Sequence, residues 1–178
     1  KASEALKPLL ERVELWNRAD VCYFIGSTFL WTRDFEAAML WHERGIKADP
    51  TFRINFWALA YAMIYANSTH EADPEQKSHI MKTAEKHLWQ YIKQGVPEDK
   101  KRCDAMYELV VVAVLSSNFQ QAHDRLKLAI EADERRFQIY NEPSDGGAKH
   151  SLLVLARNME QVTGAMQNDD LEKIFFDT

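Results

Sequence analysis

Histidines and carboxylates at helical spacing are the first residues of this chain that could carry chemistry. His42 and Glu43 begin the pattern of a zinc-protease helix, in which two imidazoles four residues apart hold the metal and the glutamate activates water. The second imidazole belongs at position 46, which is Ile46, so the motif fails. Glu75, His79 and His87 stand four and eight residues apart along a helical stretch, and their donor types suit zinc. His79 and His87 are two turns apart, however, which is far for one ion, and a solvated helix face is the expected use. His123 beside Asp124 reads the same way. Gly146 and Gly147 could turn backbone N–H groups toward an anion, although a glycine pair more often marks a turn. Ser27, Cys22 and Cys103 have no adjacent base that would activate them as nucleophiles. No catalytic constellation emerges. The chain is expected not to be an enzyme and to use no metal or other cofactor.

Composition narrows the remaining classes. A chain of 178 residues with 46% hydrophobic content can bury a sizeable core, and 6 Gly with 5 Pro punctuate it as helices do rather than as an all-β fold. The net charge is −5, and the one basic run, Lys100, Lys101 and Arg102, abuts Glu98 and Asp99. Nucleic acid is therefore not an expected partner. Cys22 and Cys103 are too sparse for a disulfide framework and are expected to be buried free thiols, which favours a cytoplasmic, reducing compartment. No apolar run reaches the ~18 residues of a membrane span. The chain opens at Lys1, so a leader or preceding domain is expected to have been removed, which leaves localisation open.

The elements that position these residues read as paired helices. Ser3 to Arg18 is expected to be one amphipathic lead-in helix carrying Leu6, Leu9, Leu10, Val13 and Trp16. Ala19 to Trp31 and Asp34 to Ala48 form a pair joined by a turn at Thr32 and Arg33 and ended by Asp49 and Pro50. A third helix runs from Arg53 to about Ala66. Asp73, Pro74 and Gln76 are the cap, first-turn proline and capping-box partner of a long fourth helix ending near Gln94, with Gly95 as its C-cap. Met106 to Ala113 and Phe119 to Ala129 carry a third pair, which continues through Arg135 and Arg136 because Glu134 replaces a terminating proline. After a loop at Asn141 to Gly147, a helix from Ala148 with Leu152, Leu155, Ala156 and Met159 is expected to cap the C-terminal end, and Leu171 to Phe176 to form a short apolar tail.

Within the first pair, Cys22, Ile25, Gly26 and Phe29 precede Ala38, His42, Gly45 and Pro50. Thirty-four residues after Cys22 stands Phe56, with Leu59, Ala60 and Met63 beyond it. This ladder resembles the tetratricopeptide repeat family in spacing and in residue size. The resemblance covers residues 19–133 and implies an all-α, tetratricopeptide-like α-α superhelix in a single domain. Its repeats lie at about 19–52, 53–97 and 103–136, with a capping helix at about 148–165. The second repeat departs from the pattern by twelve extra residues around Asn67 to His79.

In that family the first helix of each pair lines a concave groove. Carried over position by position, the groove residues are Tyr23, Ser27 and Trp31, then Trp57, Tyr61 and Tyr65, then Tyr107. Rings with few rotatable bonds and one polar handle anchor partners efficiently, so the resemblance implies a protein or peptide partner. The cationic and amide residues that some relatives use to clamp a terminal carboxylate are missing from these positions, which argues against chaperone tails. Two arrangements stay open: a free groove, or one filled by the C-terminal helix or by a second copy in a homo-oligomer. The alternative function is a carrier or sensor of a hydrophobic small molecule, held in a cavity that the C-terminal helix closes.

Overall fold

Short-range signals account for most helix boundaries in the computed structural model, which describes residues 6–8, 10–68, 73–96 and 99–140. Among the described residues there are six α-helices and no strand: α1 (Ala19–Trp31), α2 (Phe35–Ala48), α3 (Ile54–Ser68), α4 (Pro74–Gln94), α5 (Lys100–Leu115) and α6 (Phe119–Tyr140). The chain divides between Pro97 and Glu98 into two compact units. In the first, α1 packs on α2, α2 on α3, α3 on α4, and α1 also meets α3; in the second, α5 packs on α6.

The first pair is closed by a turn whose backbone is fully accounted for. Arg33 takes a left-handed φ of 62°. Its N–H donates to the Leu30 carbonyl, and the Asp34 N–H reaches back to Phe29, both at 3.0 Å. Those two bonds are the Schellman ending of a helix, and they satisfy carbonyls that the last turn leaves without partners. Asp34 then serves as the next N-cap, its carboxylate accepting from the Ala37 N–H at 3.1 Å. The second unit repeats this turn. Ser117 has φ 56°, its N–H donates to Val114 and the Asn118 N–H donates to Ala113, both at 2.9 Å. The Asn118 side chain in turn caps Gln121 at 3.2 Å. A chain reversing through three residues must lay the second helix back along the first.

Helix α4 starts and stops where its sequence signals say. Asp73 accepts from the Gln76 N–H at 3.1 Å, Pro74 occupies the first turn, and Gly95 comes directly after Gln94. Gly95 is extended, at φ −93° and ψ 164°, rather than left-handed. Its value is space, because a Cβ there would collide with the Arg53 guanidinium, which lies over the Tyr91 ring at 4.7 Å.

The lead-in differs from the continuous helix expected. Residues 6–8 and 10 are helical, the helix is interrupted at Glu11 and Arg12, and Val13–Leu15 is a single 3-10 turn. The break lets the segment deliver its apolar residues separately. Leu6 is buried with Cys22, Ile25 and Trp41, while Leu10 and Trp16 pack beside them. Trp16 meets Trp41 edge-on at 5.4 Å, and the Arg44 guanidinium lies 4.5 Å from the Trp16 ring centre. Such aromatic and cation contacts favour this arrangement by about 0.5–1.5 kcal/mol each.

The small residues expected at matched positions of the ladder are buried, with Ala38, Ala84 and Ala122 all under 8% exposed. Cys22 and Cys103 are buried, and neither is in a disulfide. The loop at 141–147, the capping helix and the apolar tail lie outside the described residues.

Candidate functional site

Helix α3 assembles the aromatic face of the first unit because Trp57, Tyr61 and Tyr65 recur every four residues and so stack on one side of the helix. The Trp57 and Tyr61 rings are 5.5 Å apart, and the Tyr61 and Tyr65 rings 4.2 Å apart. Trp57 and Tyr61 are partly exposed, whereas Tyr65 is buried and forms the base of the ladder.

The other candidates separate into distinct roles. Tyr23 turns inward, with its ring 5.9 Å from His42 and 6.2 Å from Phe52, so it helps to hold the α1–α2 pair against the turn before α3. Ser27 is half-buried. Trp31, at the end of α1, is 88% exposed, the most exposed large apolar side chain among the described residues. Tyr107 belongs to the second unit and is buried there. Of the aromatics expected at matched positions, Tyr23 and Trp57 are therefore partly exposed in the first unit and Tyr107 is buried.

Phe24 is a surface residue that the family pattern does not pick out. It is 61% exposed, and with Thr28 and Trp31 it keeps the four- and seven-residue spacing of one helix face. The periodicity was there to be read, because an apolar residue on the side of α1 opposite Cys22 and Ile25 has no place in that core. Leu40 on α2 is 65% exposed.

Behind the aromatic face lies a buried polar lock. His42 and Asn55 are both fully buried, with Nδ1 of the ring 3.0 Å from Oδ1 of the amide, and Asn55 Nδ2 donates to the Ala19 carbonyl at 3.1 Å. Two helical glycines make room for it. A Cβ on Gly26 would stand 2.7 Å from the His42 ring, and one on Gly45 would strike the Asn55 amide. Burial lowers the His42 pKa to about 4 against the opposing effect of the Asn55 bond, so the ring is neutral at neutral pH. Position 42 thus serves the packing of three helices.

The remaining candidates for chemistry stay apart. His79 is exposed beside a shallow depression that it lines with Pro74, Glu75, Ser78 and Lys82, while His87 packs on Phe56 at 5.7 Å. Among the described residues no group of three His, Cys, Asp or Glu side chains is placed to hold a metal ion. Lys101 of the basic run pairs with the buried Asp104 at 2.9 Å, and Asp99 caps the helix that carries it. Asp124 accepts from Gln120 at 3.1 Å on an exposed face. Burial raises the Cys22 thiol pKa, and its Sγ lies 3.2 Å from the Trp16 carbonyl, the setting of an inert packing residue. No helix among the described residues is long and apolar enough to cross a membrane. Gly146, Gly147 and the helix that would close a small-molecule cavity lie outside the described residues.

No known protein-family model matches the chain, and no curated protein matches it.

Proposed function

We propose that the helix pairs are tetratricopeptide-like repeats and that the chain is a non-catalytic interaction module. It holds a peptide or helix of a protein partner against the aromatic face of its first unit. The repeat reading is supported by the 34-residue return from Cys22 to Phe56, by small buried residues at matched sites, and by two turns with the same backbone bonds at Arg33 and Ser117. The binding reading is carried by one observation, the partly exposed ladder of Trp57 and Tyr61 standing on Tyr65. Trp31, with its ring almost wholly in water, is the further anchor. Tyr23 and Ser27 shape the wall, and Tyr107 is buried in the second unit.

The energetics suit a reversible contact. Fully burying one such ring is worth about 1.5–3 kcal/mol, and micromolar affinity corresponds to about 8 kcal/mol. Three or four rings, already partly covered, reach that range only with added hydrogen bonds and after the cost of ordering the partner. The test is selection of binders to the full chain from a library of short helical and extended peptides, and then titration of Trp31→Ala and Tyr61→Ala variants whose helicity matches the parent. Peptides that bind through apolar residues and lose at least about tenfold in affinity to each variant are the expected result. Equal binding by parent and both variants would overturn the assignment of the surface.

A further inference from the structure

Three helices of the first unit meet on one imidazole. The His42 ring of α2 fills the space where a side chain on Gly26 of α1 would stand, and its Nδ1 faces Oδ1 of Asn55 on α3 at 3.0 Å. Asn55 spends its amide hydrogens on the Ala19 carbonyl at the start of α1. This chain of bonds fixes the proton positions. A carbonyl only accepts, so Nδ2 is turned to Ala19 and Oδ1 to the ring. Oδ1 also only accepts, so the ring proton is on Nδ1 and Nε2 carries a bare lone pair. Nε2 is enclosed and has no hydrogen-bond partner among the described residues.

A second proton would have to enter at Nε2, beside the Gly26 backbone, with no protein acceptor in reach among the described residues. Charged groups nearby are engaged elsewhere. On α1, Tyr23 faces the ring at 5.9 Å, Cys22 points to the Trp16 carbonyl, and Asp20 is held by Arg18. On α2, Glu43 is exposed and Arg44 lies over Trp16 and Trp41. Next to α3, Arg53 lies over Tyr91. None of them stabilises an imidazolium at this point, and burial dominates its titration.

We infer that His42 is a proton-operated latch: the neutral ring ties α3 to the α1–α2 pair, and protonation at Nε2 releases α3 from that pair while the individual helices stay formed. The imidazolium escapes its enclosure only if the contact with Asn55 or with Gly26 opens. Release separates the Ala19 carbonyl from Asn55 and moves the helix that carries Trp57, Tyr61 and Tyr65. The latch is a property of the fold and acts whether or not a partner binds.

The experiment tracks amide-exchange protection in α1 and α3 of the full chain from pH 7 to pH 4, together with far-ultraviolet dichroism and the nitrogen resonances of the His42 ring. One linked proton makes protection in α3 fall about tenfold per pH unit below the ordinary titration point of histidine, with helicity retained. The ring shows the Nδ1–H form at neutral pH and titrates near 4. In His42→Phe, which keeps a ring but cannot titrate, the acid dependence of protection at the α1–α3 contact is lost, and what remains in α3 is the smaller part that belongs to His87, which packs on Phe56 and is likewise held below the ordinary histidine value by burial. The same dependence in His42→Phe, or flat protection in the parent down to pH 4, overturns the latch. Should His42→Phe fail to fold, the ring resonances of the parent decide: titration at the ordinary histidine value, without loss of protection, overturns it equally.

Discussion

Gly26 and Gly45 lie inside helices, where replacing glycine with alanine ordinarily gains up to about 1 kcal/mol in helix propensity. Here the surroundings oppose that gain. A Cβ at either site meets His42 or Asn55, and those two side chains are fully buried and bonded to each other, so neither can retreat. Overpacking of this kind costs about 1–3 kcal/mol, so Gly26→Ala and Gly45→Ala are each expected to lower the urea midpoint, Gly45→Ala the more because its clash is the closer. The same lock sets a pH dependence. The unfolded imidazole titrates near 6.5 and the folded one near 4, so between these values the unfolded chain binds the extra proton. The stability of the neutral ring is complete above pH 6.5 and is lost as pH falls toward 4, by about 3 kcal/mol in all. Urea titrations at three pH values across that window check the slope, and His42→Phe is expected to reduce it to the part contributed by His87, whose burial against Phe56 also lowers its pKa. Gly26, His42 and Gly45 were legible as packing positions of the ladder, but Asn55 and its bond to His42 were not. Cys22, Ile25 and Ala38 announce themselves by period, but His42 and Asn55 find each other across two helices, and no spacing rule encodes a contact of that sort.

At the scale of elements, caps were the reliable signal. Asp34, Asp73 and Pro74 marked helix starts that the backbone honours, because each satisfies or avoids an orphan N–H locally. Faces were harder to read. Helix α3 buries Asn55, Phe56, Ala58, Leu59, Ala60, Ala62, Ile64 and Tyr65, and α5 buries Cys103 to Ala105 and Tyr107 to Val114, so both are covered nearly all round. A helix that is apolar on every side gives no moment from which to assign an exposed face. That is why Tyr65 and Tyr107, both expected to line a groove, are buried. The matched turns allow a sharper expectation. Arg33 and Ser117 occupy the left-handed position that glycine fills most easily, and a Cβ there costs about 1–2 kcal/mol. Arg33→Gly and Ser117→Gly are each expected to raise the thermal midpoint, with a gain near 1 kcal/mol once the added freedom of the unfolded chain is subtracted. A fall in either variant would mean that the side chain does more than occupy the turn.

For the molecule as a whole, the 34-residue return from Cys22 to Phe56 links two buried residues, and the division after Pro97 falls where the sequence ends its second expected repeat. Trp16, Trp31, Trp41, Trp57 and Trp89 all precede that division, so tryptophan emission reports on the first unit alone. Because α1 to α4 pair among themselves, a fragment ending at Pro97 is expected to keep both its helicity and the emission maximum of the full chain. An unfolded spectrum would show that the first unit needs the second in order to fold. The two three-residue turns also bear on how quickly the chain finds its structure. Helices joined so tightly meet after closing very short loops, and the pairings within the first unit join elements adjacent or next but one in the chain. Low contact order of this kind goes with folding in microseconds to milliseconds, so within the first unit the α1–α2 hairpin can form first and serve as the surface on which α3 and α4 condense.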